Sequence, residues 1–327
     1  MAGTLRLHTL LTHARTAGAQ IRLIGDPHQL GAVESGGAFR LIVHDVGAIE
    51  LTDLHRFTDP AEAAATLLLR DGNPAAINHY QNRGRLHGGT RDHMLDAAYT
   101  AWHRDLTAGL DTLLIASSGE EVTALNQRAR LDRLAAGQFS ALGAELHDGT
   151  IGGVGDWVVT RRNQRLSTTG NGRDFVKNGD RWTVTAVHPD GTVTLTGRAR
   201  GTVRVPAEYA ARDLDLGYAA TVHRAQGVTV DTAHVLVADA DSRETVYVAA
   251  SRARQRTDLY LAVEDERLEI TAPPTLPVEM LQRVLSTSAS ATSSIEAIRT
   301  FQQSRTPTSR RALSTEMTAT APSPEPV

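Results

Sequence analysis

A short polar segment near the N-terminus has residue types suited to phosphate chemistry. Residues 25–30 (Gly-Asp-Pro-His-Gln-Leu) follow the apolar run 21–24, which is the pattern of a strand that ends in a polar loop. Open α/β sheets bind ligands at loops that follow the carboxyl ends of their strands. Gln29 suits such a loop because its amide can both donate and accept hydrogen bonds. The pattern predicts a phosphate-sensing loop, and an ordinary Asp-Pro turn is the alternative.

Two arginines lie in segments that could act on the same chemistry. Arg56 stands in residues 54–57 (Leu-His-Arg-Phe), and Arg252 stands in residues 246–254 (Val-Tyr-Val-Ala-Ala-Ser-Arg-Ala-Arg). A planar, permanently charged guanidinium stabilises the charge that spreads over phosphoryl oxygens during transfer. An isolated arginine is more often a solvated surface residue, so both predictions depend on the surrounding segments. Arg254 is predicted to be structural.

A third segment, residues 221–227 (Thr-Val-His-Arg-Ala-Gln-Gly), combines small polar groups with a glycine turn. The hydroxyl of Thr221 and the imidazole of His223 could hold a backbone phosphate without reading bases. Gln226 and Gly227 form the turn that follows. A structural role for His223, with its nitrogens satisfied inside the fold, is the alternative.

Composition excludes several classes of protein. A net charge of −3 argues against a polycation that coats nucleic acid, and the absence of cysteine excludes disulfides and thiolate metal sites. We find no signal peptide and no membrane-spanning apolar run, so a cytoplasmic protein without a membrane partner is expected. The histidines lack ligand spacing, so no protein-bound metal is expected.

Lysine usage bears directly on nucleotide binding. Of the 34 basic residues only Lys177 is a lysine, and Asn178 follows it. A P-loop needs a lysine after a glycine-rich turn, followed by Ser or Thr. These 327 residues therefore contain no P-loop.

The distribution of apolar residues predicts an α/β fold with a β insertion. Residues 151–206 hold short alternating segments divided by Gly-Asp and Asn-Gly turns, which is typical of a small antiparallel β-barrel. Outside the insertion, the predicted helices are 4–17, 61–69, 74–81, 120–134, 245–253 and 278–285, and the predicted strands are 21–24, 48–51, 112–116, 232–237 and 259–263. From about residue 272 the chain is rich in Pro, Ser, Thr and Ala, which predicts a largely disordered tail.

The insertion has aromatic and basic residues that could bind single-stranded DNA. Trp157, Trp182 and Phe175 could stack on bases, but tryptophans in a small barrel more often fill its core. Arginines in one loop, at positions 161, 162 and 165, could contact backbone phosphates, and a solvated loop is the equal alternative.

The order of the segments resembles a known family. Residues 25–30, 54–57, 221–227 and 246–254 resemble the later motifs of superfamily-one DNA helicases of the RecD type. The resemblance is closest to the helicase region of conjugative relaxases of the TraA and MobF kind, and it covers roughly residues 1–265.

The resemblance implies a two-domain motor that closes RecA-like domains around ATP. It implies a remnant of the first RecA-like domain (1–45), a second RecA-like domain of the P-loop NTPase fold (46–150 and 207–268), an inserted SH3-like β-barrel (151–206) and a tail (269–327). It makes Gln29 the phosphate sensor and Arg56 and Arg252 the arginine fingers. Nucleotide contacts would come from Gly25, Asp26, Gln29, Arg56, Gln226, Gly227 and Arg252, and DNA contacts from Thr221 and His223.

The resemblance also sets expectations about cofactors and activity. The complete family enzyme uses ATP and Mg²⁺, whereas this chain is expected to bind neither tightly because the P-loop lysine is missing. The start, Met-Ala-Gly-Thr, lies where the family carries an Asp-Glu-Ala-Gly-Met motif, so we expect a truncated reading frame that is inactive alone. Single-stranded or partly duplex DNA is the expected partner. The alternatives are a subunit completed by a separate P-loop polypeptide, and a non-catalytic DNA-binding or interaction module.

Overall fold

The fold is that of a computed structural model. The structure describes residues 3–31, 37–51, 54–137, 142–169, 174–197, 200–263 and 276–289. The described chain divides into two compact units: residues 1–27 with 31–50, and residues 28–30 with 51–289.

The described residues of the first unit contain two helices, α1 (Thr4–Thr16) and α2 (Ala38–Val46). Helix α1 ends at Gly18, whose φ of 62° lets the backbone N–H groups of residues 18 and 19 turn back to carbonyls of the last turn. A Cβ at Gly25 would lie 3.2 Å from the ring of Phe39, so the loop of Gly25 packs closely on helix α2.

The predicted strands at 21–24 and 48–51 are wrong, because neither segment joins a sheet among the described residues. A strand is held by the hydrogen-bonded ladder to its neighbours, and the apolar pattern alone does not provide one. Ile24 is 86 % exposed and Ile49 is 96 % exposed, so these side chains do not pack as residues of a buried strand would.

The second unit holds eight further helices and fourteen strands among the residues that the structure describes. The helices are α3 (Pro60–Arg70), α4 (Ala75–Asn82), α5 (Arg91–Thr107), α6 (Gly119–Ala135), α7 (Ala207–Asp213), α8 (Val222–Ala225), α9 (Arg243–Ala250) and α10 (Pro277–Ser286). The strands are β1 (Leu86–Gly89), β2 (Thr112–Ala116), β3 (Gly143–Glu145), β4 (Ile151–Gly153), β5 (Trp157–Thr160), β6 (Gln164–Thr169), β7 (Asp174–Val176), β8 (Arg181–Val187), β9 (Val193–Gly197), β10 (Gly201–Val205), β11 (Leu214–Leu216), β12 (Ala219–Thr221), β13 (Val230–Val237) and β14 (Ala253–Ala262).

A five-stranded parallel sheet forms the centre of the second unit, in the order β1-β14-β13-β2-β12. Every residue of β2 is buried, as expected for a central strand covered on both faces. Leu113 and Ile115 pack with α3, α4, α9 and α10, whereas Leu114 and Ala116 pack with α5 and α6. The alternation of side chains along the strand thus separates two hydrophobic cores.

A five-stranded antiparallel sheet, in the order β10-β9-β8-β5-β11, occupies most of the predicted insertion. Its inward residues include Val158, Trp182 and Leu195, which join the core on the α5 and α6 side. The hairpins β3-β4 and β6-β7 accompany it. We call the residues of these strands the β-module. Its SH3-like closure stays a prediction.

Asn126 of α6 secures the point where the chain passes from β11 into β12. Its Oδ1 accepts from the backbone N–H groups of Tyr218 and Ala219 at 2.9 and 2.8 Å, and its Nδ2 donates to the carbonyl of Leu216 at 3.1 Å. A buried amide satisfied on both sides stabilises a fixed geometry. Asn126 therefore fixes the backbone conformation at the point where the β-module joins the parallel sheet.

Helix α10 confirms the helix predicted at 278–285, inside the segment predicted to be a largely disordered tail. Met280, Leu281, Val284 and Leu285 are buried in the core that contains α9. The rest of that predicted tail lies outside the described residues, apart from 276 and 287–289. No helix in the described part of the chain is both long and apolar enough to cross a membrane.

Candidate functional site

Gln29 and Gln226 lie together in the second unit. The Nε2 of Gln226 donates to the Oε1 of Gln29 at 3.0 Å. The Oε1 of Gln226 is buried and has no hydrogen-bond partner among the described residues. Buried amide oxygens in native proteins nearly always have a donor, so this atom could accept a hydrogen bond from a ligand or a water molecule.

The turn after Gln226 is shaped by Gly227. Its φ of 91° lies in the left-handed region that favours glycine. Nothing lies within 4 Å of the position that a Cβ would take there. The glycine is therefore required by its backbone conformation, and the space beside the turn is open.

Arg252 is buried behind this turn, with only 1 % of its surface exposed. Its Nε donates to the carbonyl of Val248 at 2.8 Å and its Nη2 to the Oγ of Ser251 at 2.6 Å. A weaker contact of 3.5 Å reaches the carbonyl of Val228. In this conformation the guanidinium fixes the end of α9 against the turn of Gly227.

Arg56 reaches the same helix end from a distant part of the sequence. Its Nη1 donates to the carbonyl of Ser251. Burial lowers the pKa of Arg56 from its ordinary value. The last carbonyls of a helix lack partners within the helix and carry a partial negative charge, so guanidinium donors stabilise them. Both predicted arginine fingers therefore converge on the C-terminal end of α9, next to the amino-terminal ends of β13 and β14.

Thr221 and His223 lie at the other end of a one-turn helix. Thr221 is the last residue of β12 and the N-cap of α8, and Gln226 is the C-cap. Thr221 is half-buried, whereas His223 is exposed. The exposed imidazole does not have the satisfied, buried position that the structural alternative requires.

Gly25 and Asp26 belong to the first unit, where Gly25 packs on Phe39. The structure thus gathers Gln29, Gln226, Gly227, Arg56 and Arg252 in the second unit and describes Gly25 and Asp26 separately.

The aromatic residues of the β-module have different environments. Trp182 is buried in the core, as the more frequent role of a barrel tryptophan predicts. Trp157 is half-buried between the guanidinium groups of Arg133 and Arg181, at 5.4 and 4.9 Å from its ring centre. Phe175 has the cations of residues 165 and 177 over its ring.

Sequence reasoning missed Asp215, which lies directly beside α8. Its carboxylate accepts from Arg224 at 2.7 Å and lies 3.7 Å from Arg161. The sequence offered no signal for it, because its partners come from separate segments.

The five residues gathered in the second unit are suited to bind ATP but not Mg²⁺. Two guanidinium groups, two amides and an open glycine turn are suitable donors for a polyphosphate, and the partnerless Oε1 of Gln226 could accept from a hydroxyl. Mg²⁺ prefers carboxylate oxygens and water. The five gathered residues include no carboxylate, so they fit the nucleotide and not its metal.

Comparison of the sequence with known proteins gives one family match and several relatives, two of which are described here. Residues 1–91 match a family described as an AAA domain. The chain is 31% identical over 266 residues to the probable conjugal transfer protein TraA of Sinorhizobium fredii, covering 80% of this chain and 23% of that protein. It is 28% identical over 292 residues to the RecBCD enzyme subunit RecD of Mycolicibacterium smegmatis, covering 82% of this chain and 50% of that protein.

Comparison with solved structures gives matches to Pif1 helicases. The structure of Pif1 from Bacteroides in complex with ADP-AlF3 and ssDNA has a TM-score of 0.47 and 17% identity, and covers 88% of this chain and 67% of that one. The chain spans about a quarter of the length of the TraA proteins it matches. The second unit has a parallel-sheet α/β fold, and the sequence of the chain is related to the TraA conjugal transfer proteins over about 80% of its length, as the motifs predicted.

Proposed function

We propose that this chain supplies part of an ATP-dependent DNA helicase, with one wall of the nucleotide site and a contact to the DNA backbone. The observation that carries the proposal is the hydrogen bond between Gln29 and Gln226. It joins the residue expected to sense phosphate to the segment that begins with Thr221 and His223. A motor needs such a link, because nucleotide state must change its hold on DNA.

In this proposal each side chain has a role that follows from its chemistry. ATP supplies the phosphoryl group and Mg²⁺ neutralises its charge when both are bound. Gln29 donates its amide to the terminal phosphate, and the Oε1 of Gln226 accepts from the nucleotide. Arg56 and Arg252 stabilise negative charge. Arg252 first has to leave the carbonyl of Val248, to which it is bonded at 2.8 Å.

The P-loop that completes the site is not among these 327 residues. We infer that it comes from another segment or polypeptide, and that the magnesium carboxylates come with it. The isolated chain is then expected to bind ATP weakly and to hydrolyse it no faster than solution does, since the P-loop supplies much of the phosphate binding.

A fusion that supplies a P-loop domain N-terminal to this chain tests the nucleotide part. DNA-stimulated ATP hydrolysis is expected, and Arg252→Lys should reduce it about 10³-fold, as for other arginine fingers. Thr221→Ala combined with His223→Ala should remove the DNA stimulation and leave the basal rate. Salt-sensitive DNA binding together with an inert fusion would instead favour the non-catalytic DNA-binding module.

A further inference from the structure

A cluster of basic residues surrounds the buried carboxylate of Asp215, next to the helix that carries His223. Arg224 of α8 donates to Asp215 at 2.7 Å, and His147 contacts it at 3.2 Å. Arg161, which directly follows β5, lies 3.7 Å from the same carboxylate and contacts the ring of His147. Three cationic or titratable groups from three separate segments thus share one acceptor.

The cluster presents cations to solvent and hides its anion. The side chains of Arg161 and Arg224 are each 34% exposed and that of His147 is 40% exposed, whereas Asp215 is 10% exposed. Two permanent positive charges face the single negative charge of Asp215, so these three side chains together carry one positive charge. An approaching anion meets the cations first.

Two further carboxylates lie in the segments of the cluster. Asp213 lies 3.0 Å from the guanidinium of Arg212, which balances its charge. Asp148 is exposed and accepts from the neutral backbone and hydroxyl groups of Thr150, so it keeps its negative charge. We therefore place the contact with an anion on the guanidinium groups of Arg161 and Arg224.

Asp215 also holds the arginines in place. The hydrogen bond that Arg224 donates to the carboxylate and the ion pair of Arg161 reduce the freedom that these long side chains would otherwise lose on binding. The backbone N–H of Arg161 donates to the carbonyl of Asp213 at 2.8 Å, and that of His147 to the carbonyl of Leu214 at 2.9 Å. The cluster is therefore preorganised by both its side chains and its backbone.

We propose that Arg161, Arg224 and His147 form a second anchor for the phosphate backbone of single-stranded DNA, positioned by Asp215. The anchor continues the contact of Thr221 and His223 onto the β-module. It rests on the proposed DNA contact of α8, and it identifies a part of the β-module that touches the strand. Contacts with phosphate are independent of sequence, as a translocating protein requires.

Binding of labelled oligothymidylates to the full chain at several salt concentrations tests this anchor. An oligonucleotide of about 16 nucleotides should reach both contacts, and one of about 4 should reach only one. Arg161→Ala and Arg224→Ala should each weaken the binding of the longer oligonucleotide. Each should also reduce the slope of log K against log salt concentration by about 0.7 per lost phosphate contact. Arg161→Lys should retain the slope, because it keeps the charge.

Arg204→Ala is the matched control. Arg204 lies on β10, at the opposite edge of the same antiparallel sheet, and pairs with Asp190 at 2.8 Å. The variant Arg204→Ala also removes one positive charge from the β-module, but it should leave the slope of log K against log salt unchanged. A slope that changes equally for Arg161→Ala and Arg204→Ala would mean bulk electrostatics and would overturn the anchor.

The outcomes separate the anchor from the proposed function. If Thr221→Ala and His223→Ala abolish DNA binding while Arg161→Ala has the same salt slope as the control Arg204→Ala, the anchor alone is overturned. If Arg161→Ala reduces the slope while Thr221→Ala and His223→Ala leave DNA binding unchanged, the result supports the anchor and contradicts the contact by α8. No binding by the unaltered chain contradicts both. Circular dichroism of each variant shows whether it is folded.

Discussion

Gln226 donates its amide to Gln29 at 3.0 Å, across 197 positions of the sequence. The bond joins residues 28–30 to the end of α8, both in the second unit. Leu30 itself packs on the core of the second unit. The loop of Gln29 and the segment from Thr221 to Gln226 therefore share one packed region, and a displacement of either amide changes the environment of the other.

This bond predicts non-additive effects on stability. Gln29→Ala and Gln226→Ala should each lower the free energy of unfolding by about 1 kcal/mol. The double variant should lose less than the sum, with a coupling of about 0.5–1.5 kcal/mol, because one bond is lost in either case. Urea unfolding of the four proteins measures this cycle.

Gln127 provides the control for that cycle, since it is an exposed glutamine on α6. Gln127→Ala combined with Gln226→Ala should be additive within about 0.5 kcal/mol. Additivity of Gln29→Ala with Gln226→Ala would show that the bond does not contribute to the folded state.

Arg252 is expected to stabilise the fold in addition to any role in hydrolysis. Arg252→Ala removes two short hydrogen bonds and leaves the carbonyl of Val248 without its donor, so unfolding should become easier by about 3 kcal/mol. Thermal unfolding checks this. The neighbouring Arg254→Ala should cost less than about 1 kcal/mol, because its side chain is 46% exposed and its contact with Asp231 is 3.4 Å. Equal losses for the two variants would argue against the buried role of Arg252.

The isolated chain should release phosphate from ATP no faster than buffer does. No P-loop lysine is present in the sequence, and the gathered residues provide no carboxylate for Mg²⁺. Phosphate release with and without single-stranded DNA measures this. A DNA-stimulated rate that Arg252→Ala abolishes, while Arg254→Ala does not, would contradict the prediction.

Local patterns of apolar residues predicted several helices and strands correctly. They could not show whether a predicted strand would find a neighbouring strand to pair with. The uniformly apolar run of β2 and the alternation of β8 give strands at positions close to those expected. The run at 21–24 has the same apolar character but lacks a ladder, so the same reasoning failed there. Helix α5 was missed, although Met94, Ala98 and Trp102 are buried at intervals of four, because charged residues separate them.

The sequence pointed to candidate residues one by one, but it did not predict how they lie in space. The motifs identified Gln29, Gln226, Arg56 and Arg252, yet their contacts join positions almost two hundred residues apart. An arginine is rarely buried, so composition could not predict that Arg252 lies inside the fold. The groups around Asp215 come from helix α8 and from two loops, and only the folded chain brings them together.

Asp156 should be essential for holding the β-module to α6. Its buried carboxylate accepts from Arg130 at 2.9 Å, from the hydroxyl of Tyr218 at 2.6 Å and from the backbone of Gly153 at 2.7 Å. Removing one partner of a buried ion pair costs about 3–5 kcal/mol, so Asp156→Ala should destabilise the chain by that amount. Urea unfolding measures it, with the exposed Glu208→Ala as the control. A loss below 1 kcal/mol would contradict this role.

His234 should make stability depend on pH in a narrow window. It is fully buried between Asp105, at 2.9 Å from its Nε2, and the hydroxyl of Tyr260, at 3.1 Å from its Nδ1. Burial lowers the pKa of His234 below its ordinary value of 6.5, although the carboxylates of Asp105 and Asp258 oppose this and Arg256 favours it. The folded chain therefore keeps a neutral ring, with Nε2 donating to Asp105 and Nδ1 accepting from Tyr260.

The sign of the effect follows from proton uptake. Below pH 6.5 the unfolded chain binds a proton at this histidine and the folded chain does not, so stability falls as pH decreases until the folded pKa is reached. The pKa of Asp105 is itself lowered, through its bonds from Thr232 and His234, so its contribution is lost only below its ordinary value of 3.8. His234→Gln should be less stable at pH 7 and should flatten the dependence between pH 7 and pH 5. His188→Gln, which alters a half-buried histidine of the β-module, should leave that dependence unchanged. Parallel curves for the unaltered chain and His234→Gln, measured by urea unfolding, would place the titrating group elsewhere.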